Sequence, residues 1–347
     1  MDTIGLDLHK RESQLCILAD DGSIEERRII TSRERFTAFL GGRPGARILL
    51  EASTESEWVA QHLESLGHEV VVADPNYAPM YATRTRRVKT DKRDARTLAE
   101  ALRVGSYRPA HRVSAERRHI RAELAVRDAL VRTRTRYISI AKALVRRDGL
   151  RVAASESHLV ARRIAALDLS DTLAVELMPL FEVLAPINDQ IDGADRRIAE
   201  LSRNDAEVAL LTTAPSIGPV TASAVVATVD DISRFQSAHQ FEAFLGLVPG
   251  ERSSGEKRRI GRITKAGNSR VRYLLVEAGW RIMRSRSEET AALRAWALLI
   301  AGRRGKRIAV VALARRLAGI LYAMWRDNSP YNAGNLRMPR SILAKAG

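Results

Sequence analysis

The chain has 347 residues, with 57 Lys and Arg against 41 Asp and Glu, so its formal charge is +16 at pH 7. This excess favours a polyanionic partner such as DNA or RNA, and a hydrophobic fraction of 45% excludes a disordered basic tail. A single cysteine, Cys16, excludes a disulfide framework and a cysteine-based zinc site. The N-terminus lacks a signal-peptide pattern, and Arg315 and Arg316 interrupt the most apolar stretch, 308–325. We therefore expect a cytoplasmic, nucleoid-associated protein that does not contact membranes.

The first hundred residues alternate between short β-rich runs and amphipathic helices. The pattern predicts strands at 3–8, 14–19, 24–30, 46–51 and 69–73, and helices that begin at Ser32 and Ser56 and end near Gly41 and Leu66. Three strands in a meander followed by crossovers predict an α/β fold: a mixed sheet with helices on its faces, in which the first and fourth strands are neighbours.

Residues 91–147 are predicted to form long helices. Apolar residues recur every seven positions at Leu124, Val131, Ile138 and Val145. This stripe is typical of a helical hairpin, with a second helix at about 184–201 returning antiparallel, or of a coiled coil between subunits. Arg134 falls within the expected seam, so packing onto the chain's own core is an equal alternative. Further helices are predicted from 210 to 325.

Basic residues are concentrated in three segments. Seven lie in 84–96, sixteen lie in 103–163 against five acidic residues, and eight lie in 252–272. A solvated helix face would explain one such run, but three runs of the same sign favour salt-dependent binding to phosphates. We expect the helices of 103–163 to bind the backbone of RNA or DNA rather than its bases.

Four carboxylates could converge at the predicted sheet. Asp7 lies inside the first apolar strand, Glu51 ends the fourth, and Asp91 and Asp94 share one face if their segment is helical. Burying such a cluster requires compensating cations, and Mg²⁺ with oxygen ligands is the natural choice, suited to phosphoryl transfer. Taken singly, each acid could instead be structural. We expect His9 to be a structural or substrate-contacting residue rather than a metal ligand.

Residues 212–222 have the pattern of a helix-hairpin-helix, which offers backbone N–H groups to a phosphate. Ser216 occupies the position of the usual first glycine, and Gly218 follows it. An ordinary helical hairpin is an equally good interpretation.

The segment 250–259 contains Ser253 and Ser254 beside a glycine and among basic residues. A serine that attacks phosphate needs its proton removed and the developing charge neutralised, and guanidinium groups can supply the second requirement. On chemistry alone, a flexible basic loop is the better interpretation.

Several motifs resemble those of the DEDD transposases of bacterial insertion sequences, the insertion-sequence family one-ten, whose relatives include the Piv DNA invertase. The resemblance covers nearly the whole chain in order: GLDLHK (5–10), LLEAS (49–53), RRVKTDKRDA (86–95), PSIGPVTA (215–222), FLGLVPGERSSGEKRRIGRITKAGN (244–268) and the helix 307–327. The sequence departs from the family in having Ser216 and Glu256 where glycine is common.

The resemblance implies a RuvC-like (RNase H-like) domain at 1–105, a basic helical and coiled-coil segment at 106–205, and a mostly α-helical transposase domain at 206–347. It implies that Mg²⁺ (or Mn²⁺) binds at four catalytic acids, which are Asp7, Glu51, Asp91 and Asp94. It further implies a serine joined covalently to DNA, either Ser253 or Ser254, and relatives that read Ser-Ser-Gly or Ser-Thr-Gly favour Ser253. The implied partners are donor and target DNA, a structured noncoding guide RNA, and further copies of the chain in a dimer or tetramer.

The residues expected to contact nucleic acid come from the basic segments and from the hairpin. They are Arg84, Arg86, Arg87, Lys89, Arg132, Arg134, Arg136, Ser216, Gly218, Arg252, Lys257, Arg258, Arg259 and Lys265.

Two other functions compete with a recombinase that uses both acids and serine. A RuvC-like structure-specific endonuclease would use the acids alone and would keep its cleavage activity without Ser253 and Ser254. A non-catalytic nucleic-acid binder would show no dependence on magnesium.

Overall fold

The computed structural model describes residues 1–81, 90–251 and 260–335, and the chain forms two compact units, Met1–Arg112 and Val113–Gly347. The first unit contains a five-stranded mixed sheet with the order β3-β2-β1-β4-β5. Its strands are β1 (Thr3–Leu8), β2 (Glu12–Leu18), β3 (Ile24–Ile30), β4 (Arg47–Glu51) and β5 (Glu69–Ala73). β2 is antiparallel to β1 and β3, whereas β4 is parallel to β1 and β5. The predicted mixed sheet and the pairing of its first and fourth strands are confirmed.

Helices cover both faces of this sheet. They are α1 (Arg33–Leu40), α2 (Ser56–Ser65) and α3 (Asp91–Val104). Residues of α1 and α2 such as Phe36 and Leu63 share a buried cluster with Ile4 of β1, on one face. On the other face, Ala95 and Ala99 of α3 pack against Cys16 of β2. Three layers result, as expected for an α/β unit.

Side chains fix where two of these helices begin. Ser32 Oγ accepts a hydrogen bond from the Arg35 N–H, which caps α1 as the sequence predicts. Thr90 Oγ1 accepts from the Arg93 N–H and caps α3, so the helix starts at Asp91. The cap therefore places two of the expected acids, Asp91 and Asp94, in the first turn of α3.

Gly5 allows α3 to lie directly on β1. A Cβ atom at Gly5 would come within 2.0 Å of the Ala95 carbonyl oxygen and 2.3 Å of the Ala99 nitrogen. Because any side chain would push the two backbones apart, glycine sets the spacing between the strand that carries Asp7 and the helix that carries Asp94.

The second unit is mostly helical, as the sequence predicts. Its helices are α4 (Ala115–Arg147), α5 (Val160–Ala165), α6 (Asp171–Leu201), α7 (Ala206–Thr212), α8 (Pro219–Val229), α9 (Ala238–Phe244), α10 (Ser269–Arg284), α11 (Glu288–Arg304) and α12 (Lys306–Arg326). A short antiparallel pair, β6 (Pro249–Glu251) and β7 (Ile260–Ile263), lies between α9 and α10.

The helices α4 and α6 form an antiparallel hairpin within the chain. Their polar contacts run in opposite directions along the two helices: Glu123 with Arg197, Arg134 with Asn188, and Arg147 with Glu176. The predicted returning helix is confirmed, although it begins at Asp171 rather than near 184 and continues through two prolines. Its buried apolar face outweighs the backbone hydrogen bonds that those prolines remove.

The helix α12 contains the apolar stretch 308–325. Among the described residues it is the one helix long and apolar enough to cross a membrane by length and composition. Its residues Leu313, Leu317 and Leu321 are fully buried in the hydrophobic cluster of the second unit. This burial is typical of a core helix in a globular protein.

Candidate active site

The fold brings the four expected acids of the first unit together. Asp7, Glu51 and Asp94 line one depression of about 350 Å³, together with Leu8, His9, Ser53, Pro75 and Tyr81. Asp91 lies beside it, because the same His9 Nε2 atom is 3.3 Å from Asp7 Oδ2 and 3.5 Å from Asp91 Oδ1. The convergence follows from topology: the carboxyl ends of the parallel strands β1 and β4 meet at one edge, where α3 begins.

Asp7 and Asp94 are the enclosed carboxylates at this edge, and Asp7 has the less usual surroundings. Its side chain is 13% exposed, and its Oδ2 atom is buried and accepts no hydrogen bond from the described residues. Burial is the main reason why the pKa of Asp7 is raised to about 6. His9 opposes this rise in pKa, whereas Asp94, Asp91 and Glu51 add to it. Asp7 is thus a buried acid close to three other carboxyl groups, which favours a cation at this position.

Glu51 is held by an aromatic residue that the sequence did not indicate. Tyr81 Oη donates a hydrogen bond of 2.5 Å to Glu51 Oε1. The bond joins the end of β4 to a 3₁₀ helix at Ala78–Tyr81. A tyrosine thirty positions away in the chain carries no periodic or motif signal, so only the fold reveals this contact.

Arg28 is a second residue that sequence reasoning missed. Its Nη2 atom lies 3.5 Å from Asp91 Oδ2 and 3.1 Å from Glu12 Oε2. In the strand register, Asp7 lies opposite Gln14 and Gln14 lies opposite Arg28, so the three residues form a row across β1, β2 and β3. Residues in direct cross-strand register point to the same face of a sheet, and aligning the three strands in the sequence could have indicated Arg28.

A second depression, of about 460 Å³, adjoins Asp91. It is lined by Gln14, Glu26, Arg27, Arg28, Thr90, Asp91 and Lys92. Cationic groups therefore stand beside the acids within the first unit, where a phosphate near the carboxylates could be neutralised.

The donor atoms at the edge of the sheet fit a divalent cation. Atoms of Asp7, His9 and Asp91 all lie within 4.8 Å of one another. Mg²⁺ prefers carboxylate oxygens as ligands. The buried Asp7 Oδ2 atom accepts no hydrogen bond from the described residues, so its lone pairs are available to such an ion. His9, through its nitrogen, is better suited to ion pairing with these acids than to binding magnesium.

The predicted hairpin of the second unit consists of α7, a short connection and α8. Ser216 in the connection has a φ of 64°, a left-handed conformation that glycine adopts without strain. Gly218 is the N-cap residue of α8, Pro219 is its first residue, and a Cβ at Gly218 would meet no atom within 4 Å. The two expected contact residues therefore lie together at the start of a helix.

The basic residues expected on α4 differ in their surroundings. Arg134 Nη1 donates a hydrogen bond of 3.1 Å to Asn188 Oδ1 within the hairpin, and its buried Nε has no partner among the described residues. Arg132 is exposed, and its Nη2 atom lies 2.9 Å from Asp128 Oδ2. Arg136 is also exposed. Lys265 is also exposed, after β7. The structure therefore directs Arg134 towards the chain itself.

Several expected site residues lie outside the described residues. They are Arg84, Arg86, Arg87, Lys89, Arg252, Ser253, Ser254, Lys257, Arg258 and Arg259. The two serines occur in the chain between β6 and β7, which pair antiparallel through Pro249 and Ile263.

Comparison with known proteins gives matches in both units. A family model described as Transposase IS116/IS110/IS902 family matches residues 208–294, and a DEDD transposase model of the IS110 group matches residues 4–147. The chain is 30% identical over 345 residues to "Probable family 20 transposase" of Pseudomonas aeruginosa, with 96% of this chain and 99% of the relative covered. It is 26% identical over 336 residues to the transposase for insertion sequence element IS1111A of Coxiella burnetii, with 95% and 91% covered. It is 26% identical over 333 residues to the transposase for IS1328 of Yersinia enterocolitica, with 95% and 98% covered.

Proposed function

Because the chain belongs to the IS116/IS110/IS902 family of transposases, whose members cleave and rejoin DNA, we propose that it excises and inserts an insertion sequence. The observation that carries the proposal is the convergence of Asp7, Glu51, Asp91 and Asp94 at one edge of the sheet. The strand order, with three antiparallel strands followed by two parallel ones, supports a RuvC-like fold for this unit. Phosphoryl transfer on DNA is the chemistry for which such a cluster is suited.

The four acids are proposed to bind Mg²⁺ or Mn²⁺. When bound, such an ion would neutralise charge on the reacting phosphate and polarise its oxygens. The enclosed Asp7 would supply an oxygen that receives no hydrogen bond from the described residues. Tyr81 would hold one oxygen of Glu51 and so restrict the direction of that carboxylate. Asp91 and Asp94, in the first turn of α3, would complete the set.

A serine is proposed to form the covalent link to DNA, with Ser253 favoured over Ser254. Its Oγ would bond to phosphorus as the strand's own P–O bond breaks, and the hydroxyl proton of the serine would pass to the departing strand oxygen, which leaves as a hydroxyl. Rejoining would reverse this exchange. The neighbouring Arg252, Lys257, Arg258 and Arg259 would neutralise the charge on the phosphate. The support for this step is the family membership and the residue types in the segment.

A structured noncoding RNA that pairs with donor and target DNA is proposed as the guide, and the chain is proposed to act in the cytoplasm as a dimer or tetramer. The charge of +16 supports binding to a polyanion such as nucleic acid, and the family membership supports the choice of partners.

The experiment is to express the gene with its native flanking DNA in cells and to amplify across the joint of excised circular products. Wild type is compared with Asp7→Asn, Ser253→Ala and Ser254→Ala. Arg43→Gln provides a control, because Arg43 pairs with Glu25 on another part of the first unit. We expect junctions from wild type and from the control, and none from Asp7→Asn or from one of the two serine variants.

The remaining outcomes separate the competing functions. Junctions lost with Asp7→Asn but kept in both serine variants would contradict the covalent step and favour a mechanism that uses the acids alone. Branched-DNA cleavage that persists without either serine would favour the RuvC-like endonuclease. Junctions that persist in Asp7→Asn would reject the proposed role of the acids.

A further inference from the structure

A small basic depression lies at the C-terminal end of α4. Its residues are distant in sequence from the four acids and from the two serines. It has a volume of about 300 Å³ and is lined by Lys142, Arg146, Leu150, Arg151 and Val152. Three of these five residues are cations and none is a carboxylate. The depression therefore brings three positive charges together without a negative charge in its lining.

The turn that ends α4 places these cations together. Lys142 and Arg146 are four residues apart and share one face of the helix. Gly149 has a φ of 78° and donates its N–H to the Arg146 carbonyl, while the Leu150 N–H donates to the Val145 carbonyl. These two bonds form a Schellman motif, which ends the helix and turns the chain back so that Arg151 lines the same opening.

The cations of the depression differ from several other basic residues of the hairpin. Arg127 contacts Asp195, Arg132 contacts Asp128, and Arg147 contacts Asp148 and Glu176. Those residues are neutralised within the protein.

Lys142, Arg146 and Arg151 have no ion pair or side-chain hydrogen bond within the part of the chain that the structure describes. The three cations line one opening together with the apolar Leu150 and Val152, and like charges repel. An anion in the depression would relieve this repulsion.

The helix dipole does not account for this cluster. Basic residues in the last turn of a helix are stabilised by its negative end, and this effect fades within one turn. Arg146 and Arg147 occupy the last turn, whereas Lys142 precedes it and Arg151 follows the helix. At least two of the three cations are thus unexplained by the dipole.

We propose that this depression binds a phosphodiester group of a nucleic-acid backbone. That the partner is a nucleic acid rests on the proposed function. That the contact lies at this depression rests on its three unpaired cations. Arg146 and Arg151 can each donate two hydrogen bonds to phosphate oxygens, and Lys142 adds a point charge. The contacts expected from the sequence at Arg132, Arg134 and Arg136 stay a separate prediction, which this site neither requires nor replaces.

The test uses the full-length protein and two fluorescent probes, a duplex DNA of mixed sequence and a single-stranded RNA. Binding is measured over a series of KCl concentrations for wild type and for the triple variant Lys142→Gln, Arg146→Gln, Arg151→Gln. The matched control replaces three exposed cations of the second unit that lie outside the expected contact residues and have no ion pair or side-chain hydrogen bond in the described chain, Arg196→Gln, Arg286→Gln and Arg303→Gln. Circular dichroism establishes that each variant is folded.

Loss of three phosphate contacts should reduce the slope of log Kobs against log[KCl] by about 2–3 units for duplex DNA and by about 2 units for single-stranded RNA. A reduction with either probe, absent from the control, supports the site and identifies the strand that it binds. An unchanged slope with both probes, or an equal reduction in the control, overturns it.

If the triple variant does not fold, the double variant of the exposed Arg146 and Arg151 replaces it, with about two-thirds of the effect expected. The excision assay with Asp7→Asn tests the acids and does not depend on this depression. An unchanged salt slope would therefore reject this site alone, whereas junctions that persist in Asp7→Asn would reject the proposed role of the acids.

Discussion

Arg28 and Asp91 are 63 positions apart in the chain, and the Arg28 Nη2 atom lies 3.5 Å from Asp91 Oδ2. The same nitrogen is 3.1 Å from Glu12 Oε2, so Arg28 joins an edge of the sheet to the first turn of α3. The guanidinium group thus approaches an oxygen that a divalent cation would also use. Arg28 and the cation are therefore competitors for Asp91.

The first prediction concerns this competition. Arg28→Ala should increase the affinity of the DNA-free protein for Mn²⁺ by about 1.4- to fivefold, because an exposed ion pair is worth roughly 0.2–1 kcal/mol. The measurement is a calorimetric titration with Mn²⁺. Arg43→Ala removes a comparable arginine that pairs with Glu25 and should leave the affinity unchanged. Equal or weaker Mn²⁺ binding in Arg28→Ala would show that Arg28 does not compete.

The second prediction concerns the pH dependence of cation binding. The pKa of Asp7 is raised to about 6, chiefly by burial, and a cation requires the ionised carboxylate. The affinity for Mn²⁺ should therefore be nearly constant above pH 7 and should fall about tenfold for each unit below pH 6. Titrations at pH 5, 6, 7 and 8 test this expectation. An affinity that stays constant down to pH 5 would contradict it.

The same pKa has a consequence for stability. The folded-state pKa of Asp7 lies above the unfolded value of about 3.9, so the metal-free fold binds the proton more tightly and loses stability as the pH rises through 6. Asp7→Asn cannot ionise and should be about 1–2 kcal/mol more stable than wild type at pH 7.5 in EDTA, with little difference at pH 4.

Thermal unfolding at both pH values tests this stability difference. Asp74→Asn should behave oppositely at pH 7.5, because hydrogen bonds from Asn76 and Arg108 lower the pKa of Asp74. A lower stability of Asp7→Asn at pH 7.5 would show that burial of the charged carboxylate is not the dominant effect.

The third prediction concerns the spacing between β1 and α3. Gly5→Ala introduces a Cβ within 2.0 Å of the Ala95 carbonyl oxygen, so the helix must move away from the strand. We expect a loss of about 3 kcal/mol or more in the free energy of unfolding and weaker Mn²⁺ binding, because α3 carries Asp91 and Asp94. Thermal unfolding and calorimetry measure the two effects. Gly42→Ala, where a Cβ would meet no atom within 4 Å, is the matched control.

The fourth prediction concerns Ser216, which has a φ of 64° in the connection between α7 and α8. Ser216→Gly should stabilise the second unit by about 0.5–1 kcal/mol, because glycine adopts this conformation without strain. Ser216→Ala keeps the strain and should show no such gain. Chemical denaturation of the three proteins tests the difference, and equal stability of the glycine and alanine variants would contradict it.

Local patterns predicted the sheet well. The strands Thr3–Leu8, Ile24–Ile30 and Glu69–Ala73 begin and end where their apolar and turn residues indicate. The second strand was predicted from 14, but it begins at Glu12, since backbone pairing to Ile30 continues through polar residues. The fourth begins at Arg47, because the Ala46 N–H donates to His68 Nδ1.

Contacts between residues distant in the chain could not be predicted in this way. The position of the acids followed from strand order, because the ends of parallel strands must meet at one edge. The contact of Tyr81 depends on a loop path that a single sequence does not contain, whereas Arg28 could have been found only by aligning the three predicted strands. Charge counting also could not distinguish Arg127, which is paired with Asp195, from Arg151, which has no such partner in the described chain.

The row formed by Asp7, Gln14 and Arg28 makes the acidic edge dependent on a turn at the far end of the sheet. β2 and β3 are joined by a turn closed by bonds from the Gly22 N–H to the Ala19 carbonyl and from the Ala19 N–H to the Ser23 carbonyl. Adding one residue there would shift β3 by one position and move Arg28 to the opposite face. This turn should therefore tolerate a substitution far better than an insertion.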